Sequence, residues 1–456
     1  MADVFIKTEE PPSQLIPLLD SNNNNNHHHN DPHSNRHLGG EEEYKDTPLD
    51  QTLQWLETFL TLLGFNQSSW LSLALSWTAL ALIGVALPVF VLVVFNCSDC
   101  KKYQIKRFEL VIVGSQAILA AVSVLCISPR LRKYGIRRFL FVDRYSGHIV
   151  RFRNDYIKQI KDSFRLLVRW ALPCFLLKTL REVVRMIYVH HDSWGWGKSV
   201  GVLFTLVLSW AYVSTITLTA SILFHLVCNL QVIHFDDYAR LLERESDVLV
   251  FMDEHIRLRY HLSKISHRFR IFLLLQFIVV TASQFVTLFE TTEYRGDITV
   301  INGGDFAVST IVQVVGIILS LHAATRISHR AQGIVTVASR WHALMTCSSN
   351  DTSHNRSSNC LVNPEAADTL NSLQISYSES DLESMDYVPM PTNTQLASYM
   401  SSYHRRQAFV SYLQTNHGGI TIFGWTVDRA LLNTIFFIEL SLITFVLGKT
   451  LVFTST

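Results

Sequence analysis

Four ionisable residues interrupt an otherwise apolar stretch of this chain. Lys178, Arg181, Glu182 and Arg185 fall within Phe164 to Val189 at spacings of three, four and seven, which puts them on one face of a helix. A charge at bilayer depth costs at least about 2.5 kcal/mol on the insertion scale, so the stripe must face protein or water rather than lipid. Two readings stay open. Three bases with one acid suit a polar cavity for a ligand, an anionic one included. The same residues also suit a closed ion-pair network completed by Glu290, Glu293 or Asp305. Gln116, Gln284, Gln313 and His322 stand in other apolar runs, where such side chains either hydrogen-bond between helices or line a pocket. Of these, Gln116 and Gln313 join the stripe as candidate pocket residues. A second set lies in the last apolar run: Glu439, Thr444, Leu447, Gly448 and Lys449. A carboxylate on a terminal helix can face a pore and favour cations, while a ring of lysines at the mouth opposes them. Thr444 and Leu447 could form the constriction. The plainer role for Glu439 is contact with a neighbouring helix.

The remaining chemistry-bearing residues point to no reaction. The sequence has no phosphate-binding loop, nucleophile elbow, H-E-x-x-H or dinucleotide fingerprint, so no catalytic residue, enzyme activity or cofactor is expected. Cys97 and Cys100 form a lone C-x-x-C without the second pair that a zinc site needs. His27, His28 and His29, with His33 and His37, belong to a low-complexity tract, so no metal site is expected there either. The net charge of +1 gives no global field for nucleic acid.

The elements that position these residues are apolar and long. Apolar residues make up 48% of the chain and charged residues 17%, against about 25% charged in soluble domains. Residues 1–48 are polar, with Asn22 to Asn26 and Glu41 to Glu43, and read as a disordered tail. Residues 49–66 repeat Leu53, Leu56, Leu60 and Leu63 at helical spacing but are too short to span a bilayer, which suits an interfacial or re-entrant helix. Seven runs then reach spanning length: Trp70 to Phe95, Phe108 to Ile127, Phe164 to Val189, Val200 to Leu230, Ile271 to Phe289, Phe306 to Thr325 and Ala430 to Phe453. Gln231 to Arg270 and Ile327 to Met345 continue the helical pattern beyond runs four to six, within a bundle spanning 70–346. Residues 347–394 are rich in Ser, Asn and Asp and read as a disordered linker. In the last segment, 395–456, a helix over Ala397 to Gln414 precedes the seventh run, divided from it at Gly418-Gly419.

Orientation follows from the basic residues. With the N-terminus inside, the inner connections hold 27 Lys and Arg and the outer ones 7, an asymmetry that places the N-terminus in the cytoplasm and the C-terminus outside. The expectation is an all-α integral membrane protein with seven transmembrane helices, long cytoplasmic extensions of helices four to six and a divided last helix. Receptors that couple to G proteins have the opposite orientation.

This architecture resembles the insect odorant and gustatory receptor superfamily, and most of all its plant members, an uncharacterised family of gustatory-receptor-like membrane proteins. The motif support lies in Gly424 to Ile435, where Asp428, Leu431, Leu432 and Ile435 match the animal pattern of an Asp and paired Leu before a pore helix. Where the animal family continues with Thr-Tyr and ends near Gln-Phe, this chain has Ser441-Leu442 and Gly448-Lys449. The resemblance implies a homotetramer with one central pore lined by each last helix, and subunit contacts made mainly by the cytoplasmic extensions. It also implies a small-molecule ligand pocket in the outer half of each subunit. The function expected from it is a ligand-gated, cation-permeable channel in lipid, most simply at the plasma membrane. The alternatives are a non-conducting scaffold or signalling protein of the same fold and, third, a secondary transporter.

Overall fold

The computed structural model describes residues 48–94, 106–141, 151–190, 196–244, 247–293, 300–350, 402–416 and 418–452. Nearly all of them are helical. The elements are α1 (Pro48–Leu62), α2 (Trp70–Val94), α3 (Lys106–Leu140), α4 (Arg153–His190), α5 (Trp196–Arg244), α6 (Val248–Glu293), α7 (Val300–Asn350), α8 (Ser402–Thr415), a hairpin of β1 (Thr421–Ile422) and β2 (Trp425–Thr426), and α9 (Arg429–Val452).

Among the described residues five helices are long and apolar enough to cross a membrane: α2, α3, α5, α6 and α7. Two of the seven runs fall outside this set for different reasons. The apolar part of α4 is broken by the stripe at Lys178 to Arg185. In α9 the side chains are described only as far as Phe445, and then at Gly448. Helices α5, α6 and α7 have 49, 46 and 51 residues. At about 1.5 Å per residue each is about 70–75 Å long, more than twice a hydrocarbon core of about 30 Å.

Helix α5 is the axis of the bundle. It packs against α2, α3, α4, α6 and α7, and 89% of its most apolar stretch is buried, against 28% for peripheral α2. The continuous core runs from Leu119 and Ile127 of α3 through Phe224 of α5 to Phe269 and Phe272 of α6. It ends among Phe251, Trp341, Phe409 and Leu413, where α8 packs against α6 and α7. Arg259 donates to Asn416 at 2.7 Å at the end of α8, and burial pushes the nearby Tyr412 phenol up from its ordinary value.

The short leading helix α1 buries Leu49, Leu53, Leu56 and Leu60 against α4 and α3. Trp55 and Phe59 pack on Phe164, and Asp50 pairs with Arg137. Its leucine face therefore lies on protein. The chain leaves α1 through Gly64, whose φ of +82° suits glycine, and a Cβ there would come within 2.4 Å of Ser76 Oγ.

Several boundaries differ from the sequence expectation. Helix α7 continues through Asn350, so helix replaces the expected linker over 347–350. The rest of that linker, the expected tail before Pro48 and the pair Cys97 and Cys100 lie outside the described residues. The hairpin before α9 was not expected. Its turn residues Phe423 and Gly424 have φ of +49° and +88°, the signs that a type I′ turn requires at both central positions. Phe is a poor residue for that conformation, and the Arg270 guanidinium 5.1 Å over its ring helps hold it.

Candidate functional site

The stripe on α4 faces inward, and two other helices meet it. Glu109 comes from the first turn of α3 and Asp305 from the start of α7. Lys178 pairs with Asp305 and, at 3.0 Å, with Glu182 one turn along its own helix. Arg181 lies 2.5 Å from Glu182, 3.3 Å from Glu109 and 3.7 Å from Asp305. Arg185 lies 3.2 Å from Glu109 and 3.6 Å from Glu182. No side chain in the group is more than 14% exposed. Three bases meet three acids, so the cluster is formally neutral. That balance is what a low-dielectric interior demands, because a charge left over there costs several kcal/mol.

A cavity of about 40 Å³ adjoins the network, lined also by Gly84 and Pro88 of α2, Gln116 of α3, and Ser209 and Trp210 of α5. At about 10–15 Å³ of such volume per molecule, this is room for a few waters and too little for a drug-sized ligand. Local backbone shapes its wall. Residues Leu80–Ala86 form a π-helix inside α2, which disturbs the regular hydrogen-bond ladder, and Ser209 donates to the Ile83 carbonyl at 2.6 Å. Gly84 lets α5 approach closely, since a Cβ there would come 3.0 Å from Val213.

The structure thus brings Lys178, Arg181, Glu182, Arg185 and Gln116 to one cavity. Gln313 does not line it and instead donates to Ser115 at 3.4 Å, one residue from Gln116. Of the acids expected to complete the network, Asp305 is present and half-buried Glu290 is not among its ion pairs, while the Glu293 side chain lies outside the described residues. Glu109, unanticipated as a partner, fills that role. The sequence showed Glu109 only as an acid at the head of the second apolar run, with nothing to say which helix it meets.

Of the two roles open to Glu439 in the last helix, the structure shows the contact with a neighbouring helix. Glu439 is 1% exposed and faces α6, where its Oε1 accepts from Thr281 Oγ1 at 2.8 Å. It therefore lies inside the subunit and not on the open face of α9. Thr444 is exposed, Gly448 is half-buried, and the side chains of Leu447 and Lys449 lie outside the described residues. The Asp428 motif has a local mechanical role. The Asp428 carboxylate accepts from the Leu431 amide at 2.8 Å, an N-cap for α9. Leu431 and Leu432 pack against the main core and Ile435 is buried in it. Upstream, the Ile420 amide donates to Ser328 Oγ of α7 at 3.0 Å and the Thr421 amide to Ser266 Oγ of α6 at 3.2 Å.

A family model described as protein of unknown function (DUF3537) matches residues 51–438. The chain belongs to this family. The DUF3537 match opens within α1 and closes one residue before Glu439, so it takes in the whole ion-pair network and the Asp428 cap. The comparison with curated proteins found no match. Among solved structures, the insect olfactory receptor OR5 from Machilis hrabei, in complex with eugenol, is similar at 11% sequence identity with a TM-score of 0.49. That likeness covers 88% of this chain and 98% of that one.

Proposed function

We propose that this DUF3537 chain spans the membrane seven times with its N-terminus inside, and assembles as a homotetrameric, ligand-gated, cation-permeable channel at the plasma membrane. The observation that carries the reading is the division of α9 into two faces. Ile435, Glu439 and Leu442 turn toward α6 and α7. Thr434, Ser441 and Thr444, exposed in the single chain, fall on the opposite side at helical spacing, with Gly448 continuing the line. Hydroxyl oxygens bring no benefit against hydrocarbon, whereas a pore lining of side-chain oxygens suits a partly dehydrated cation. The fourfold assembly rests on the resemblance carried by Asp428, Leu431, Leu432 and Ile435.

A second reading, a non-conducting scaffold, draws on Phe436, Phe437, Leu440 and Phe445, which share the exposed side of α9. Purified tetramer in a planar bilayer separates the two. Cation current is expected, with conductance lowered several-fold by Ser441→Leu or Thr444→Leu. Glu439→Gln is expected to leave ion selectivity unchanged, because that carboxyl faces α6. Absence of current from a verified tetramer across a panel of small-molecule ligands would favour the scaffold.

A further inference from the structure

Helix α7 carries fixed charge at two levels and none between them. Asp305 belongs to the ion-pair network, and the next such residue is Arg326, about six helical turns on. At about 1.5 Å per residue the two lie about 32 Å apart, the thickness of one hydrocarbon core. In the seven-span reading, on which this inference rests, the network sits near the outer boundary. Arg326 then stands at the level of the inner-leaflet phosphates.

Among the described residues Arg326 pairs with no carboxylate. It donates to Asn229 Oδ1 of α5 at 3.2 Å, which occupies one of its five N–H donors. Asn229 is 6% exposed, and its Nδ2 lies 3.2 Å from Nδ1 of His225, one turn back along α5. His322, one turn before Arg326, is within electrostatic reach of the same ring. His322 and Arg326 are exposed in the single chain, and His225 is half-buried. The two helices thus offer a groove with one guanidinium and two imidazoles. Asp236, the acid further along α5, is engaged by Arg330 at 3.4 Å. Toward the membrane centre the same side of α7 is apolar, with Ile318 and Ile311 exposed at helical spacing.

We propose that this groove binds the phosphate of an acidic phospholipid of the inner leaflet, with an acyl chain along Ile318 and Ile311. Basic pockets between helices on the cytoplasmic side suit lipid headgroups. A guanidinium meets phosphate through paired N–H···O bonds, and imidazole N–H groups add donors. Arg326 supplies one permanent positive charge, the complement of one phosphodiester. A choline lipid would bring its own cation to a side whose acid, Asp236, already has a base, so it binds more weakly.

The test is native mass spectrometry of full-length protein in mild detergent, titrated with dioleoylphosphatidylglycerol or dioleoylphosphatidylcholine. Phosphatidylglycerol should bind about tenfold more tightly, and Arg326→Gln should remove that preference, the loss expected of one charged hydrogen bond. Asn229→Asp should do the same by giving Arg326 an internal carboxylate. Arg340→Gln removes an equal charge from an exposed position of α7 about 21 Å further along, beyond the screening length of physiological salt, and should change nothing. Thermal unfolding checks each variant first. An equal loss in Arg340→Gln would reduce the preference to general attraction toward basic helix ends and overturn the proposal. Competition by glycerophosphate at the lipid's own affinity would overturn it too, because the ligand would then be a soluble anion. Dissociation of the oligomer by Arg326→Gln, with no lipid preference in the wild type, would assign the groove to a second copy of the chain. Binding is read without ion current, so lipid selectivity in a silent protein would defeat the channel reading and leave this one standing.

Discussion

At the scale of single residues, the neutral cluster around Arg181 decides how α3, α4 and α7 come together. Each base contacts at least one acid from another helix, so the cluster is a three-way clasp with no net charge. Removing one member strands its partners. Asp305→Asn should destabilise the folded protein by about 3–5 kcal/mol, because Lys178 and Arg181 lose a counter-charge in a buried setting. The neutral pair Lys178→Met with Asp305→Leu should recover most of that loss, since a buried ion pair replaced by apolar groups of similar size is often no less stable. Thermal unfolding of detergent-solubilised protein measures both, and a double variant as unstable as Asp305→Asn would contradict the clasp. The α4 half was legible in the sequence, because charges at three, four and seven on a helix must share a face. The Glu109 partner was not, since 72 residues separate it from Arg181 and nothing local records which helices meet. The direction of Glu439 was equally hidden, because nothing in α9 itself records which of its faces meets α6.

At the scale of elements, the connection into α9 is held by side chains on two different helices. Ser328 of α7 and Ser266 of α6 accept the amides of Ile420 and Thr421, and the Ile420 carbonyl accepts from Val427 at 2.8 Å. Ser328→Ala and Ser266→Ala each leave a backbone N–H without its acceptor, at a cost of about 1–3 kcal/mol where the amide is buried. The double variant should be cut by trypsin at exposed Arg429 faster than wild type, with the rest of the bundle intact. Unchanged cleavage would mean that the hairpin is held by other contacts. Hairpin and π-helix share one reason for escaping a reading of the sequence. Phe423-Gly424 is not the usual Asn-Gly of a type I′ turn, and Leu80–Ala86 is uniformly apolar, so neither alters the hydropathy pattern by which helices are found.

At the scale of the whole molecule, the long helices and their basic ends set how the chain lies in a bilayer. The excess of 27 to 7 basic residues toward one side predicts an inner N-terminus and an outer C-terminus. Epitope tags at each end, tested by protease on intact cells, should be protected at the N-terminus and cleaved at the C-terminus, and the reverse pattern would refute the topology. The order and approximate bounds of the helices were legible because each is a long apolar run. The central place of α5 was not, since its run is no more apolar than its neighbours' and only packing distinguishes it. The clamp at the start of α9 has a further consequence. Ile420 and Thr421 fix the approach to this 24-residue helix to the bundle, and Asp428 caps its first turn. Glu439 ties the middle of the same helix to Thr281 of α6, so α9 moves with α6 as a rigid rod, and a tilt of about 5° over its length of about 36 Å displaces the far end by about 3 Å. Sub-ångström shifts of α6 against α7 would therefore reach the far end of α9 magnified.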